Sequence, residues 1–308
     1  MIQSPLPPRP PLDGDGEAKL AAAIEPPAIG APEHHPAGRP TSTRPRGRER
    51  IRAVAVVIPA HNEQERLSTC LDVLEAAAWR VRDRGIPVLV FVVADACTDA
   101  TRAMARRRGL TCVTIQANNV GVARAAGVSA ALSRLAESGF DPSRIYLLHT
   151  DADTVVEPDW ITRHLDEAAD HDAVLGPVEV RDWSMRGAGC AQRYVLHSEH
   201  EPDEHRVHGA NLGVRADAYE RVGGFPALPV AEDRALVDAL RAAGEAVVFR
   251  HDLAVFTSAR VSTRVRGGFS DYLSRLDEEL NGADDVLNGA DDVLAGPEQD
   301  EQRLAEAA

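Results

Sequence analysis

Aromatic side chains are scarce in this chain of 308 residues, where they make up only 4% of the sequence. Platforms that stack single-stranded nucleic acid are built from such side chains, so this class of partner is disfavoured. The formal net charge of −14 at pH 7 argues in the same direction, because nucleic-acid phosphates are themselves anionic. We therefore expect no nucleic-acid partner.

Paired cysteines and long apolar runs are also missing. The chain has four cysteines, and their spacing matches neither a CxxC pair nor a zinc finger, so we expect small buried thiols. No apolar run approaches the roughly 18–20 residues that cross a bilayer. The first residues lack the basic start and apolar stretch of a secretory signal. We expect a cytoplasmic protein without a transmembrane segment, and leave attachment at the membrane surface as an alternative.

The two ends of the chain differ in composition from its middle. Residues 1–50 hold 11 of the 20 prolines and no periodic apolar pattern, which predicts a disordered leader. Residues 277–308 hold 11 acidic side chains and one arginine, and NGADDVL occurs there twice in tandem. We interpret this stretch as an acidic tail. A single domain over residues 51–276 remains.

Strand and helix patterns alternate within that domain. Continuous apolar runs at 53–60, 88–95, 112–117 and 145–153 predict buried strands, and helical spacing at 63–79, 98–108 and 120–138 separates them. This alternation predicts an α/β fold with a doubly wound, mainly parallel sheet. Further on, strands are expected at 173–180 and 246–252 and a helix at 231–244, with a loop, short strand and helix over 208–225.

Each strand of the first half ends in polar residues, and the fourth ends in Asp151-Ala152-Asp153. Ligands bind such sheets at the carboxyl ends of the strands, so these residues are candidates for a site. Positions i and i+2 of a strand point the same way, so both carboxylates can address one point. Two hard oxygen ligands suit Mg²⁺ or Mn²⁺ bound to a diphosphate, whereas a polar turn with a helix cap is the alternative interpretation.

Six motifs occur in order along residues 53–260: VAVVIPAHNEQERL, VVADACTDAT, NNVGVARAAGVSAAL, LLHTDADTVVEPDWI, GANLGVRADAYERVGGF and AEDRAL. Together they resemble glycosyltransferase family 2, whose members have the type A glycosyltransferase fold. The resemblance implies a Rossmann-like nucleotide-binding half, assigned to residues 51–153, and an acceptor half, assigned to residues 154–276. Members of that family transfer a sugar from a nucleotide diphosphate donor, with inversion at the anomeric carbon.

The resemblance also implies a role for each residue that matches a family motif. Asp151 and Asp153 would hold Mn²⁺ or Mg²⁺ on the diphosphate of a UDP- or GDP-sugar. Asp95 would accept a hydrogen bond from the base, although the family usually has two adjacent acids where this chain has Ala94 and Asp95. The remaining residues expected to contact the donor are Pro59, Ala60, Glu63, Arg124 and Ala152.

Glu232 and Asp233 begin a predicted helix on the acceptor side. Asp233 matches the catalytic base of the family, with Glu232 as a neighbour that contacts substrate. For an isolated pair of acids, a helix cap that favours the dipole would be the alternative. A single displacement needs such a base on the face of the sugar opposite the leaving diphosphate.

Three further predictions concern the second half. Asn211 precedes the acceptor-side strand and is expected to contact substrate, and His251 is a candidate third metal ligand. Arg260, Arg264 and Arg266 follow the last strand, in a loop that could close over the diphosphate. A solvated basic surface is the alternative for these arginines.

Three rival functions remain to be weighed. A dinucleotide-dependent oxidoreductase would need a glycine-rich turn after the first strand, where PAHNEQE stands. A sugar-phosphate nucleotidyltransferase would need a glycine-rich, basic loop at the same point. A non-catalytic nucleotide-binding relative is disfavoured by the retention of Asp151, Asp153 and Asp233 together. The acceptor is not predicted and could be a small molecule, a lipid or a glycan.

Overall fold

The computed structural model describes residues 48–186, 188–200, 202–260 and 269–277. Apart from residues 48–50 and Asp277, the predicted leader and the predicted acidic tail lie outside the described residues. Arg264 and Arg266 lie outside them as well.

The first half forms a parallel sheet, and its strands lie where the apolar runs predict them. They are β1 (Ala53–Ala60), β2 (Val88–Asp95), β3 (Thr111–Ile115) and β4 (Ile145–His149). β1 lies between β2 and β4 and is parallel to both, while β3 pairs with the outer edge of β2. After β3 the chain therefore crosses to the other side of β1. Ligands bind at such a reversal of strand order.

The second half extends this sheet and adds a smaller one. The strands are β5 (Ala173–Leu175), β6 (Val178–Val180), β7 (Leu212–Arg215), β8 (Val247–Phe249) and β9 (Val255–Thr257). The large sheet has the order β3-β2-β1-β4-β7-β5-β8, and only β7 runs antiparallel to its neighbours. β6 and β9 form a separate parallel pair. The prediction of a mainly parallel sheet is confirmed.

Eight helices occur in the described residues. In chain order, α1 to α7 are Leu67–Arg82, Thr101–Arg107, Val120–Glu137, Trp160–Glu167, Ala188–His200, Ala216–Arg221 and Glu232–Ala242, and α8 is 269–277. None of the described helices has both the length and the apolar character needed to cross a membrane.

Two apolar cores lie on opposite faces of the large sheet. Val54, Val56 and Ile58 of β1 pack into the core that contains α1, while Ala55 and Val57 pack into the core that contains α3 and α7. Successive side chains of a strand point to opposite faces, so a strand buried on both faces must be apolar throughout. This is why β1 reads as an unbroken apolar run.

The predicted strand over residues 173–180 is wrong as a single element. Gly176 and Pro177 interrupt it, so that β5 belongs to the large sheet and β6 to the small one. A Cβ at Gly176 would clash with the Leu253 carbonyl and the Asn211 amide. Only glycine allows this close approach, and proline cannot donate a ladder hydrogen bond. The chain therefore changes sheets at this point.

Candidate active site

A cleft of about 1470 Å³ opens at the carboxyl ends of β1, β2 and β4 and is closed on its other side by residues of the second half. Ten of the twelve predicted site residues line it. These are Pro59, Ala60, Glu63, Asp95, Arg124, Asp151, Ala152, Asp153, Glu232 and Asp233. A typical small-molecule pocket measures roughly 300–1,000 Å³, so the cleft has room for more than one reactant.

A buried guanidinium joins the two halves at the centre of this cleft. Nη2 of Arg124, on α3, donates to Oδ1 of Asp151 over 2.7 Å, and Nε donates to Oε1 of Glu232 over 3.0 Å. Burial disfavours the charged guanidinium, but the nearby carboxylates outweigh this effect and raise the pKa of Arg124. Burial in turn raises the pKa of Glu232, partly offset by Arg124. The two predicted site acids are thus linked through one cation.

A second arginine holds the other carboxylate after β4. Arg260 donates through both terminal nitrogens to Glu63, over 2.7 and 2.6 Å, and its Nη2 lies 3.3 Å from Oδ2 of Asp153. Burial raises the pKa of Asp153 to about 6, although Arg260 opposes this shift. The structure thus places Arg260 at the cleft, as one of the three predicted basic residues of the last loop.

The two carboxylates fit a divalent ion that arrives with phosphate. Mg²⁺ and Mn²⁺ are commonly held by one or two carboxylates together with substrate phosphate oxygens. Asp151 and Asp153 both line the cleft and supply oxygens of this type. Among the described residues, no three His, Cys, Asp or Glu side chains are grouped to hold a metal by themselves. Phosphate oxygens of a substrate and water would supply further ligands of such an ion.

Asp95 is buried at the end of β2 and organises the loop before α3. Its Oδ1 accepts hydrogen bonds from the backbone N–H groups of Ala117 and Asn118, over 2.7 and 2.8 Å, and its Oδ2 accepts one from Asn119 over 2.8 Å. Asn119 then caps α3 by accepting from the Val122 N–H. The Asp95 carboxylate thus already accepts three backbone hydrogen bonds. A hydrogen bond from a nucleotide base would be a fourth.

Asp233 is presented differently from its neighbour Glu232. Its Oδ2 accepts from the Gly209 N–H over 2.6 Å, and its Oδ1 accepts from the Arg234 N–H over 2.7 Å. Ala231, immediately before them, has φ of 60°, a left-handed conformation that costs a non-glycine residue about 1–2 kcal/mol. This conformation begins α7 abruptly at the cleft, with a buried Glu232 and a less buried Asp233.

Comparison with known proteins agrees with this architecture. Residues 55–218 match the family model described as glycosyl transferase family 2. The chain belongs to this family. No curated protein matches the sequence at a significant level. The prediction of the family is thus confirmed on slightly more than half of the chain.

Solved structures of other proteins are similar to this chain. The S. aureus TarS fragment 1–349 in complex with UDP-GlcNAc is 15% identical with a TM-score of 0.51, over 70% of this chain and 61% of that one. The mannosyltransferase PcManGT from Pyrobaculum calidifontis, in complex with GDP-Man and Mn²⁺, is 21% identical with a TM-score of 0.49. The match covers 73% of this chain and 61% of that one. The chain therefore spans about three fifths of the length of each.

Two predicted site residues do not line the cleft. Asn211 is fully buried behind it, where Oδ1 accepts from Trp160 Nε1 over 2.9 Å and Nδ2 donates to the Pro177 and Leu253 carbonyls over 3.0 and 2.7 Å. His251 is exposed, and its Nε2 lies 2.9 Å from Oδ2 of Asp203. The structure thus gives Asn211 a packing role, and it does not bring His251 together with Asp151 and Asp153.

Sequence reasoning missed a group of histidine and arginine residues that line the cleft. It consists of His197, His200, His205, Arg206, His208 and Arg234. A signal for it was present, because four of the 11 histidines fall within residues 197–208.

Arg186, which no motif marks, was also missed. Its buried guanidinium donates to the carbonyls of Ala259, Arg260 and Ser270 over 2.8, 2.8 and 3.1 Å, and to Asp277 over 3.2 Å. It thereby fixes the backbone of Arg260 and docks α8 onto the rest of the domain.

Proposed function

We propose that this protein is an inverting glycosyltransferase that moves a sugar from a UDP- or GDP-sugar to a hydroxyl acceptor, with Mn²⁺ or Mg²⁺ and with Asp233 as base. The observation that carries the proposal is that Asp151, Asp153 and Asp233 line one cleft. Family membership supports the reaction class. The two solved structures bear GDP-Man with Mn²⁺ and UDP-GlcNAc in their names, which supports the donor class.

Asp151 and Asp153 would hold the metal. A divalent ion there would stabilise the negative charge that develops on the diphosphate leaving group. Arg124 and Arg260 already contact these carboxylates, so the two guanidinium groups balance their charge before substrate arrives. Arg124 and Arg260 also lie where a diphosphate would meet the two carboxylates, and guanidinium groups bind phosphate oxygens in a bidentate manner.

Asp233 is better suited than Glu232 to take the proton of the acceptor. Glu232 is 4% exposed and tied to Arg124, whereas Asp233 is less buried and its contacts are backbone N–H groups. In the proposed step, the acceptor oxygen forms a bond to the anomeric carbon, its proton passes to Asp233, and the nucleoside diphosphate leaves with the electron pair. A single displacement of this kind inverts the anomeric centre.

The rival functions receive less support. The end of β1 and the loop after it have the sequence PAHNEQE, which contains no glycine to cradle a triphosphate or a dinucleotide. A non-catalytic relative would have no need of Asp233 at the mouth of a cleft that also holds Asp151 and Asp153.

The first test is thermal unfolding with UDP, GDP and their sugars, with and without Mn²⁺. We expect one nucleotide to raise Tm in a metal-dependent way, since a ligand at about 100 times its Kd stabilises by roughly 2.7 kcal/mol. Asp151→Ala should abolish the shift, while Asp159→Ala, a change to a neighbouring acid outside the cleft lining, should keep it. No shift with any nucleotide would contradict the proposal.

The second test is the configuration of the product. With the donor known, NMR of the transferred sugar reports whether the anomeric configuration has changed. A product that retains the donor configuration would rule out single displacement with Asp233 as base.

A further inference from the structure

Both carboxylates of the proposed metal site are already paired with guanidinium groups. Nη2 of Arg124 lies 2.7 Å from Oδ1 of Asp151, and Nη2 of Arg260 lies 3.3 Å from Oδ2 of Asp153. Mg²⁺ binds carboxylate oxygens at about 2.1 Å, so an ion on either of these oxygens would lie beside a positively charged nitrogen. The two guanidinium groups therefore reduce the attraction of the carboxylates for a bare divalent cation.

Of these two arginines, Arg260 is the better placed to change partners. The Arg124 side chain is 3% exposed and lies between Asp151 and Glu232, whereas the Arg260 side chain is 21% exposed. Arg260 donates to Glu63 over 2.7 and 2.6 Å, and its contact with Asp153 is longer, at 3.3 Å. The contact with Asp153 is therefore the one that a stronger partner can replace.

Glu63 and Arg186 hold Arg260 from two sides. The carboxylate of Glu63 is bound by both terminal nitrogens of Arg260, and the Glu63 backbone N–H donates to the Thr101 hydroxyl over 2.8 Å. On the other side, Arg186 donates to the backbone carbonyl of Arg260 over 2.8 Å. The guanidinium can thus turn one N–H away from Asp153 and into the cleft while the backbone of Arg260 keeps its place.

A diphosphate changes the charge balance at this point of the cleft. The N–H fork of an arginine matches the oxygens of a phosphate group. Phosphate oxygens are also common ligands of Mg²⁺ and Mn²⁺ in proteins. Because a diphosphate offers negative charge to the guanidinium and to the ion at once, it offsets the repulsion between the two cations. The arrangement therefore favours a metal ion that arrives with a diphosphate over a metal ion alone.

We propose that Arg260 is an internal cation that occupies Asp153 before substrate binds and transfers to the diphosphate when a metal–nucleotide complex enters. Glu63 keeps the guanidinium within reach of both partners. This inference rests on the proposed function, because it concerns how metal and nucleotide enter the same site. It also makes a particular demand: Arg260 must weaken the binding of free metal and strengthen the binding of nucleotide.

The first test is Mn²⁺ binding by the full chain without nucleotide, followed through the electron paramagnetic resonance signal of free Mn²⁺. We expect Arg260→Gln to bind Mn²⁺ at least fivefold more tightly than wild type, because the positive charge beside Asp153 is removed. Asp153→Asn added to Arg260→Gln should abolish this gain, which separates the site from other acidic residues. Arg134→Gln, a change to a 59% exposed arginine on α3, is the matched control and should leave Mn²⁺ affinity unchanged.

The second test is calorimetric titration with whichever of UDP or GDP stabilises the wild-type protein, in saturating Mn²⁺. Arg260→Gln should bind the nucleotide at least fivefold more weakly. Arg260→Lys should lose less nucleotide affinity and should keep free Mn²⁺ as weakly bound as in wild type, because it retains the charge and loses the fork. Melting curves establish that the variants are folded, and a loss of packing alone would not act with opposite sign on the two ligands.

The outcomes separate this inference from the proposed function. Mn²⁺ affinity in Arg260→Gln equal to or below that of wild type, or a gain that survives Asp153→Asn, overturns the inference. Nucleotide affinity that Arg260→Gln leaves unchanged or raises overturns it as well. In each case, nucleotide binding by wild type leaves the proposed function standing. If neither UDP nor GDP binds wild type, the proposed function fails, and the same titrations with inorganic pyrophosphate decide the inference.

Discussion

Two adjacent acids, Glu232 and Asp233, have different surroundings although they share the start of one helix. Glu232 is committed to Arg124, and Asp233 is held at the cleft by two backbone N–H groups. Ala231, immediately before them, has a left-handed backbone conformation. Of the two acids, Asp233 is the less buried one, which is why we propose it as the base.

Replacement of the proposed base should separate catalysis from binding. We expect Asp233→Asn to lower kcat by roughly 10²–10⁴-fold, the usual contribution of a positioned general base, because the amide cannot take a proton from the acceptor. Nucleotide binding by thermal shift should persist. Asp238→Asn, on the exposed side of the same helix, is the control and should keep full activity. An Asp233→Asn enzyme with unchanged kcat would disprove the assignment.

Gly209 is required by close packing against Arg124. A Cβ at this position would lie 2.6 Å from Nη2 and 2.7 Å from Cζ of Arg124, whose guanidinium is pinned by two carboxylates. We expect Gly209→Ala to lower the free energy of unfolding by about 1–3 kcal/mol, as overpacking does, and to weaken nucleotide binding. Urea unfolding and thermal shift measure the two effects. Gly139→Ala is the control, because a Cβ at that position meets no atom within 4 Å. It reports the cost of replacing a glycine without overpacking, together with the strain of a φ of 82°.

At the residue scale, sequence motifs predicted which carboxylates would lie at the cleft. Asp151, Asp153 and Asp233 all line the cleft, as expected from strand ends and a helix start. Asn211 could not be placed correctly, because its amide faces Trp160 and two carbonyls from distant parts of the chain. No local pattern reveals which way such a side chain turns. The role of Arg186 was hidden for the same reason.

At the scale of elements, α8 and α5 form a small unit with its own apolar cluster. Cys190 packs with Leu273 and Leu276, and Tyr194, Phe269 and other partly buried side chains surround them. Arg186 is the polar centre of this unit, with its side chain only 1% exposed. Because it binds the carbonyls of Ala259 and Arg260, the unit also sets the position of Arg260 in the cleft.

Loss of Arg186 should release this unit locally. Arg186→Ala leaves buried carbonyls and the Asp277 carboxylate without their cation, a change that costs about 3 kcal/mol. We expect amides of residues 269–277 to exchange roughly a hundredfold faster, while β1 and β4 keep their protection. Hydrogen exchange with mass spectrometry measures this, and Arg275→Ala on the exposed side of α8 is the control. Unchanged exchange in α8 would show that Arg186 does not dock it.

The elements differ in how well sequence predicts them. β1 and β2 lie where their apolar runs place them, since strands buried on both faces leave an unbroken signal. The predicted helix at 63–79 begins later, at Leu67, and ends later, at Arg82. The three-residue strands β5, β6 and β9 are too short for periodicity, and contacts between distant segments decide them.

At the scale of the whole molecule, burial of neutral imidazoles makes stability depend on pH. His164 is fully buried between Trp160, Tyr146 and Asn211, and desolvation lowers its pKa to about 3. In the unfolded chain its pKa is about 6.5. Between these two values the unfolded state binds a proton that the folded state does not, so stability falls as pH falls below about 6.5.

The contribution of His164 can be isolated by substitution. Between pH 7.5 and 5.0 the wild-type protein should lose about 2 kcal/mol more than His164→Gln, because one protonation is worth about 1.4 kcal/mol per pH unit below 6.5. Urea unfolding at the two pH values gives the difference. His171→Gln, at a partly exposed position, is the control. Parallel losses in wild type and His164→Gln would exclude His164 as a source of acid sensitivity.

The hydrogen bonds of Asp95 have a consequence for attempts to test the proposed nucleotide site by substitution. Asp95 fixes the turn whose last residue, Asn119, caps α3, and the same helix carries Arg124 to Asp151 and Glu232. The end of β2 and the centre of the cleft are therefore connected through one turn and one helix, α3. Substitution of Asp95 alone would release the turn before α3 and disturb the position of Arg124, so a loss of binding could not be assigned to a missing contact with a nucleotide base.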